Sequence, residues 1–261
     1  MSGFLAGFPS DPAFYIVGLA MVFIMAMSKG AFGGGLAILG VPLLSFVMPP
    51  LDAAIVVAPL VSFTDFFAIG SFGPKTWSRI DLKWIMPALI AGIGLGYVFF
   101  TRVNPHLVAA CIGAVTLLFT AYWFMFGRSA KTSRMPSTPW LAVLAGVASG
   151  FTTFVAHAGG PPVNMYLLNR GLNKSVYTGT NLIIFLLGNL IKLVPYGMLA
   201  YAKPSTWIAA LALAPAAPFG VWLGIYLHRR LEQNRLYFWC YLLLAAAAAK
   251  LLFDAVRALL A

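Results

Sequence analysis

The stretch SKGAFGGG (residues 28–35) interrupts the first long apolar run of the chain, and the rest of the sequence is best understood from it. A second stretch, HAGGPP (residues 157–162), interrupts a later apolar run in the same way. Glycine and proline at this density stop a helix. The sequence therefore predicts two broken helices, each followed by a short apolar partner.

The composition of the 261-residue chain indicates a protein embedded in a membrane. Hydrophobic residues make up 61% of it and charged residues only 9%, against about 25% charged residues in an ordinary soluble domain. So little polar surface could not cover that much apolar side chain in water. This excludes a soluble enzyme, a disordered protein and a secreted disulfide scaffold. It predicts an all-α, polytopic integral membrane protein whose partner is the lipid bilayer.

The chain contains ten apolar segments. They cover residues 13–28, 35–48, 51–72, 84–101, 105–127, 139–156, 161–169, 175–200, 205–228 and 235–259. A span needs about 20 apolar residues, so the short segments beside the two breaks are expected to be half-helices. Each half of the chain then has either five crossings or three crossings and a re-entrant hairpin.

The basic residues predict the orientation in the membrane. The chain has 17 Lys and Arg against 6 Asp and Glu, a net charge of +11, but these charges are dispersed between apolar runs and form no stripe for nucleic acid. Alternate connections carry most of them: Lys75, Arg79, Lys83, Arg128, Lys131, Arg134, Arg170, Lys174, Arg229, Arg230 and Arg235. The positive-inside rule places these connections in the cytoplasm and both termini outside, in the periplasm.

The two halves of the sequence resemble each other. GGGLAILGVPLL (33–44) is similar to AGGPPVNMYLL (158–168), and Cys111 and Cys240 match at a common offset. We expect a first repeat over 1–127, a cytoplasmic linker over 128–138 and a second repeat over 139–261. Because each half has an odd number of crossings, the second repeat is inverted relative to the first. Inverted repeats with broken helices are typical of secondary transporters.

The two breaks are the first candidates for a binding site. A half-helix that starts at such a break presents unpaired N–H groups and a partial positive charge to an anion. The main-chain candidates are Gly33, Gly34, Gly35, Gly159 and Gly160. The alternative is that these glycines only allow tight helix packing.

Charged residues in apolar segments are the second group of candidates, because they are costly there. Lys29 is expected to bind the anion or to snorkel to the membrane edge. Asp65 is a candidate for proton coupling or for pairing with Lys29. Lys192, beside Asn189, is expected to face the cavity, with outward snorkelling as the alternative.

Polar residues around the second break complete the proposed site. His157 is a candidate anion donor or proton shuttle, and Asn164, Thr180 and Asn181 supply neutral hydrogen-bond groups. The sequence carries no nucleophile–base pair, metal cluster or paired-cysteine motif, so no catalytic residue, metal or cofactor is predicted.

The motifs KGAFGGGLAILGVPLL (29–44) and AHAGGPPVNMYLL (156–168) resemble those of the TauE/SafE family of anion exporters. The resemblance covers residues 13–259 and implies about eight transmembrane helices. It also implies export of sulfite or a sulfur-containing organic anion such as sulfoacetate across the bacterial inner membrane. The departures at Lys29, Ala31-Phe32, His157-Ala158 and Pro161-Pro162 bear on the substrate more than on the fold.

Taken with the breaks, this predicts a secondary transporter of a small anion that works by alternating access. An anion channel is the nearest alternative. An intramembrane enzyme and a membrane assembly or thiol-relay protein are the more distant ones. The sequence leaves open whether a second copy of the chain is a partner in a homodimer.

Overall fold

The structure is a computed structural model that describes residues 9, 11–32, 36–69, 73–126, 136–201, 204–227 and 233–260. The α-helices in these ranges are α1 Pro12–Phe32, α2 Gly40–Leu44, α3 Pro50–Ile69, α4 Arg79–Arg102, α5 Pro105–Phe126, α6 Pro139–Ala156, α7 Gly160–Asn169, α8 Lys174–Tyr201, α9 Pro204–Leu213, α10 Ala216–Leu227 and α11 Gln233–Leu260. Two short 3₁₀ turns, Ala37–Leu39 and Pro74–Thr76, are the other regular elements of the described ranges.

Proline sets where several of these helices begin. The helices α1, α3, α5, α6 and α9 all have proline as their first residue. The missing N–H of proline is lost at no cost in a first turn, and its fixed φ suits the helix. The same residue type also lies inside α3, α4 and α8, at Pro59, Pro87 and Pro195.

The described helices are those of a polytopic membrane protein, as the composition predicts. Seven spans are long and apolar enough to cross a membrane: they lie in α1, α3, α4, α5, α6 and α8, and across α9 and α10 together. The 28-residue α11 lies outside this set. The short helices α2 and α7 have 5 and 10 residues and rise only about 7 and 15 Å, too little to cross. Each half therefore has an odd number of crossings only if α1 with α2, and α6 with α7, form hairpins that return to the side where they start. Arg170 at the end of α7 and Ser137 just before α6 both bind Asp81, as such a hairpin requires.

The most extensive contacts between the two halves of the chain lie in four helix pairs. The helix α4 packs against α6, α1 against α10, α5 against α11, and α3 against α8. If the halves are duplicates, α1 corresponds to α6 and α4 corresponds to α10. The pair of α4 with α6 is then the counterpart of the pair of α10 with α1. A duplicated chain predicts this pattern, and the repeat boundaries proposed above remain a prediction.

Glycine brings α4 and α6 into backbone contact. A Cβ placed on Gly92 would lie 2.2 Å from the carbonyl oxygen of Val147, and one on Gly150 would lie 2.1 Å from that of Leu89. No side chain fits at such a distance, so only glycine permits this approach. Gly92 and Gly150 lie outside the two breaks, so this contact identifies packing glycines other than those that the sequence analysis considered.

Three of the apolar segments predicted from the sequence differ from the helices in the structure. The helix α1 continues to Phe32, so Lys29 lies in its last turn and not in the break. Of the described residues in the expected segment 35–48, only 37–39 and 40–44 are helical. The expected segment 205–228 is divided by a turn at Ala214 and Pro215, because the residue before a proline is pushed out of the helical region.

Candidate functional site

Lys29 and Asp65 form a buried ion pair between α1 and α3. The Lys29 ammonium donates to the carboxylate of Asp65 and, at 3.1 Å, to the carbonyl oxygen of Val61. Lys29 is 6% exposed and Asp65 is 2% exposed. The lysine therefore points into the helix bundle, and the snorkelling alternative is wrong.

The same carboxylate connects α3 to α8. Its second oxygen accepts a hydrogen bond from the side-chain amide of Asn189. The hydroxyl of Ser62, one turn before Asp65, donates to the carbonyl oxygen of Asn189 at 3.2 Å. Both oxygens of Asp65 are thus engaged, one by a cation and one by a neutral amide.

Lys192 lies one turn beyond Asn189 on α8 and is completely buried. Its Nζ lies 2.8 Å from Nδ1 of His157, 3.3 Å from the hydroxyl of Thr153 and 3.4 Å from the carbonyl oxygen of Thr153. All three partners are neutral acceptors. In the part of the chain that the structure describes, Asp65 and Lys29 are close enough to interact with Lys192 electrostatically, but no carboxylate forms an ion pair with it.

His157 ends α6 in an unusual backbone conformation. Its φ of 51° and ψ of 27° lie in the left-handed region, and among the described residues it is the only one other than glycine with a positive φ. Its N–H and that of Ala158 bond back to Thr153 and Thr152, which closes the helix end. Glycine is the usual residue at such a position because a Cβ is strained there.

The imidazole of His157 joins two helices. Its Nε2 lies 3.0 Å from the carbonyl oxygen of Ala54 in α3. Because a carbonyl oxygen only accepts, Nε2 carries the hydrogen, and Nδ1 is free to accept from the Lys192 ammonium. A neutral imidazole in this tautomer satisfies both contacts.

These residues form one polar network within the apolar bundle, but Lys29 and His157 contact α3 at different points. Lys29 contacts α3 at Asp65, whereas His157 contacts α3 at Ala54. Eleven residues of helix separate those points, which corresponds to about 16 Å. Asn189 and Lys192, neighbours on α8, bridge this distance from the other side.

Two hydroxyl groups of α6 donate hydrogen bonds to backbone carbonyl oxygens of the second break. Ser149 donates to the carbonyl oxygen of Gly159 at 2.7 Å, and Thr152 donates to that of Ala158 at 3.1 Å. The helix α7 then starts at Gly160, but Pro161 and Pro162 have no N–H. Its first turn therefore offers fewer donors to an anion than the sequence argument assumes.

The main-chain groups of the first break cannot be compared in the same way. Gly33, Gly34 and Gly35 lie outside the described residues. Their role as anion-binding groups remains a prediction.

Asn164, Thr180 and Asn181 belong to a separate group. The Asn164 side-chain oxygen accepts from Asn181 at 2.7 Å and from the hydroxyl of Tyr177 at 3.1 Å, which ties α7 to α8. The hydroxyl of Thr180 accepts from the backbone N–H of Ser78 at 2.8 Å. Thr180 and Asn181 lie two or more turns of α8 before Asn189, and Asn164 lies on α7 with these partners, so the structure does not bring the three into the network around Lys192.

A second buried charge, at Asp81, is absent from the sequence prediction. Its carboxylate is fully buried and accepts from Arg170 at 2.9 Å, from Tyr166 at 2.7 Å and from Ser78 at 2.6 Å. This cluster anchors the end of α7 to the start of α4. The spacing of Ser78 and Asp81 matches a helix-start capping pattern, which was the available signal.

Another missed group is the hydroxyl of Ser28. It is fully buried beside Lys29, and within the described structure it has no hydrogen-bond partner. No sequence pattern marks it. The described residues also contain no cluster of three or more His, Cys, Asp or Glu side chains that could hold a metal ion.

Comparison with known proteins gives one match. A family model described as sulfite exporter TauE/SafE matches residues 18–251, nearly the whole chain. Neither the search of curated proteins nor the search of solved structures returns a match.

Proposed function

Because this chain belongs to the TauE/SafE sulfite exporter family, we propose that it is a secondary transporter that exports sulfite or a sulfur-containing organic anion. The membrane is the bacterial inner membrane, and the mechanism is alternating access. The family is one of transporters, and the seven apolar spans fit a multi-pass membrane protein. Beyond membership of this family, our proposal covers the substrate, the mechanism and the residues of the site.

The observation that carries this proposal is the environment of Lys192. A buried ammonium whose hydrogen-bond partners among the described residues are all neutral is costly in an apolar medium. An anion that enters the bundle would supply the missing negative charge. We therefore assign the substrate to the network of Lys29, Asp65, His157, Asn189 and Lys192.

Alternating access requires parts of the bundle to move against each other. The interrupted elements on either side of the network, α1 with α2 and α6 with α7, are where a secondary transporter of this type would open. The membrane potential supplies a driving force, since an anion with one charge gains about 2.3 kcal/mol per 100 mV on leaving a negative interior. Proton coupling through Asp65 or His157 is the further part of this proposal.

The test is sulfite efflux from proteoliposomes that contain the full chain. We expect Lys192→Met to lower the saturable flux at least tenfold, because it removes the charge and keeps a side chain of similar length. The control is Lys250→Met, which removes an exposed lysine of α11 whose partner is Asp254. That variant is expected to transport like the wild type.

Two results would contradict the proposal. Equal flux in Lys192→Met and in the wild type would remove Lys192 from the site. Flux that does not saturate and shows no counterflow would indicate an anion channel.

A further inference from the structure

When Lys192 is protonated, the buried charges of the network are unbalanced by one. Asp65 is shared between Lys29 and Asn189, so it neutralises one lysine. The other fully buried carboxylate of the described residues, Asp81, is neutralised by Arg170. Within the described part of the chain, the hydrogen-bond partners of Lys192 are all neutral.

We propose that the site at Lys192 selects anions with a single negative charge over anions with two, an inference that rests on the proposed function. With both lysines protonated, the network carries two positive charges and one negative charge. One monovalent anion brings the sum to zero. The geometry thus assigns the substrate class as monoanions, such as sulfonates or hydrogen sulfite.

A divalent anion would reverse the imbalance without removing it. It would leave one uncompensated negative charge in a bundle whose remaining partners include the carboxylate of Asp65. The network holds no further lysine or arginine among the described residues, and Lys29 is already paired with Asp65. A second proton on His157 would lie on Nδ1, 2.8 Å from the Lys192 ammonium, so the imidazole could not supply the missing charge without losing that contact. Uncompensated charge is expensive at low dielectric whichever its sign.

The probes are methanesulfonate and sulfate. Both are tetrahedral at sulfur and similar in size, and they differ in one group, a methyl in place of a charged oxygen. Uptake of each into proteoliposomes that contain the full chain is measured as kcat/KM, with the membrane potential clamped at zero. We expect the wild type to favour methanesulfonate at least tenfold.

Two variants change the charge of the site and test the cause of this preference. Asp65→Asn removes the one negative charge of the network and should shift the ratio at least tenfold toward sulfate. The double variant Lys29→Met, Asp65→Asn removes the ion pair as a whole and restores a single positive charge. Its ratio should return toward that of the wild type.

The inference is overturned if the wild type transports sulfate as well as methanesulfonate, a result that needs no variant to fold. It is also overturned if all three proteins transport with the same ratio. Either outcome leaves the protein an anion transporter. If neither anion nor sulfite moves through the wild type, the proposed function fails, and this inference fails with it.

Discussion

His157 combines a strained backbone with a side chain that two other helices use. A non-glycine residue in the left-handed region costs roughly 1–2 kcal/mol relative to glycine. Such strain persists where surrounding contacts hold it, and it is concentrated at functional sites. Here the contacts of the imidazole with Lys192 of α8 and with Ala54 of α3 hold this conformation in place.

The variants His157→Gly and His157→Ala separate strain from function. Both remove the imidazole, so we expect both to lose at least tenfold in sulfite flux. Glycine relieves the backbone and alanine does not, so His157→Gly should be more stable than His157→Ala by about 1 kcal/mol. Thermal unfolding in detergent measures this difference. Equal stability would contradict the backbone argument, and unchanged flux would exclude His157 from the site.

At this scale the sequence predicts which residues matter better than it predicts their partners. Lys29, Asp65 and Lys192 are evident because charge is costly within an apolar segment. The pairing of Lys192 with His157, rather than with Asp65, depends on how α6 and α8 cross and has no local signal. Asp81 was missed because the apolar pattern begins at Trp84, whereas the helix begins one turn earlier, at Arg79.

Among the helices, the pair α4 and α6 is the most tightly constrained. Gly92 and Gly150 allow the two backbones to touch, and Gly146 lies against Ile85 and Ala88. Asp81, at the start of the same α4, holds the end of α7 through Tyr166 and Arg170. We therefore interpret α4, α6 and α7 as one packed unit beside the network.

Replacement of Gly150 by alanine should disrupt this unit. The added Cβ would overlap the carbonyl oxygen of Leu89, and overpacking of this kind typically costs about 1–3 kcal/mol. The matched control is Gly94→Ala in α4, where a Cβ would meet nothing within 4 Å. That change should be neutral or stabilise the helix by up to about 1 kcal/mol.

Thermal unfolding in one detergent compares the two variants with the wild type. If Gly150→Ala and Gly94→Ala unfold at the same temperature, α4 and α6 are not in backbone contact. The sequence suggested that some glycines serve packing. It could not indicate which, because the glycines of both breaks and of both helices occur in similar apolar surroundings.

Across the whole molecule, the contacts with α3 indicate how the two halves are related. The end of α1 meets α3 toward its C-terminal end, and the end of α6 meets α3 near its N-terminal end. Asn189 of α8 contacts Asp65, near the end of α3. Lys192, further along α8, bonds to His157, which contacts Ala54 near the start of α3. The two helices therefore run antiparallel, as halves of opposite orientation require.

This relation and the distribution of basic residues lead to a prediction about topology. If the halves are inverted and the basic connections lie in the cytoplasm, we predict that both termini lie in the periplasm. Alkaline phosphatase is active only in the periplasm, and green fluorescent protein fluoresces when it is fused in the cytoplasm. We expect phosphatase activity from a fusion after residue 261 and fluorescence from a fusion truncated at Lys131.

The pair of fusions distinguishes the possible arrangements. The reverse result, fluorescence at residue 261 and phosphatase activity at Lys131, would keep inverted halves but place the termini in the cytoplasm. It would also overturn the expectation that Lys75, Arg79 and Lys83 face inward. The same reporter result at both positions would place residue 131 and the C-terminus on one side of the membrane. The second half would then cross an even number of times, and the halves could not be inverted copies, because inversion requires an odd number of crossings in each.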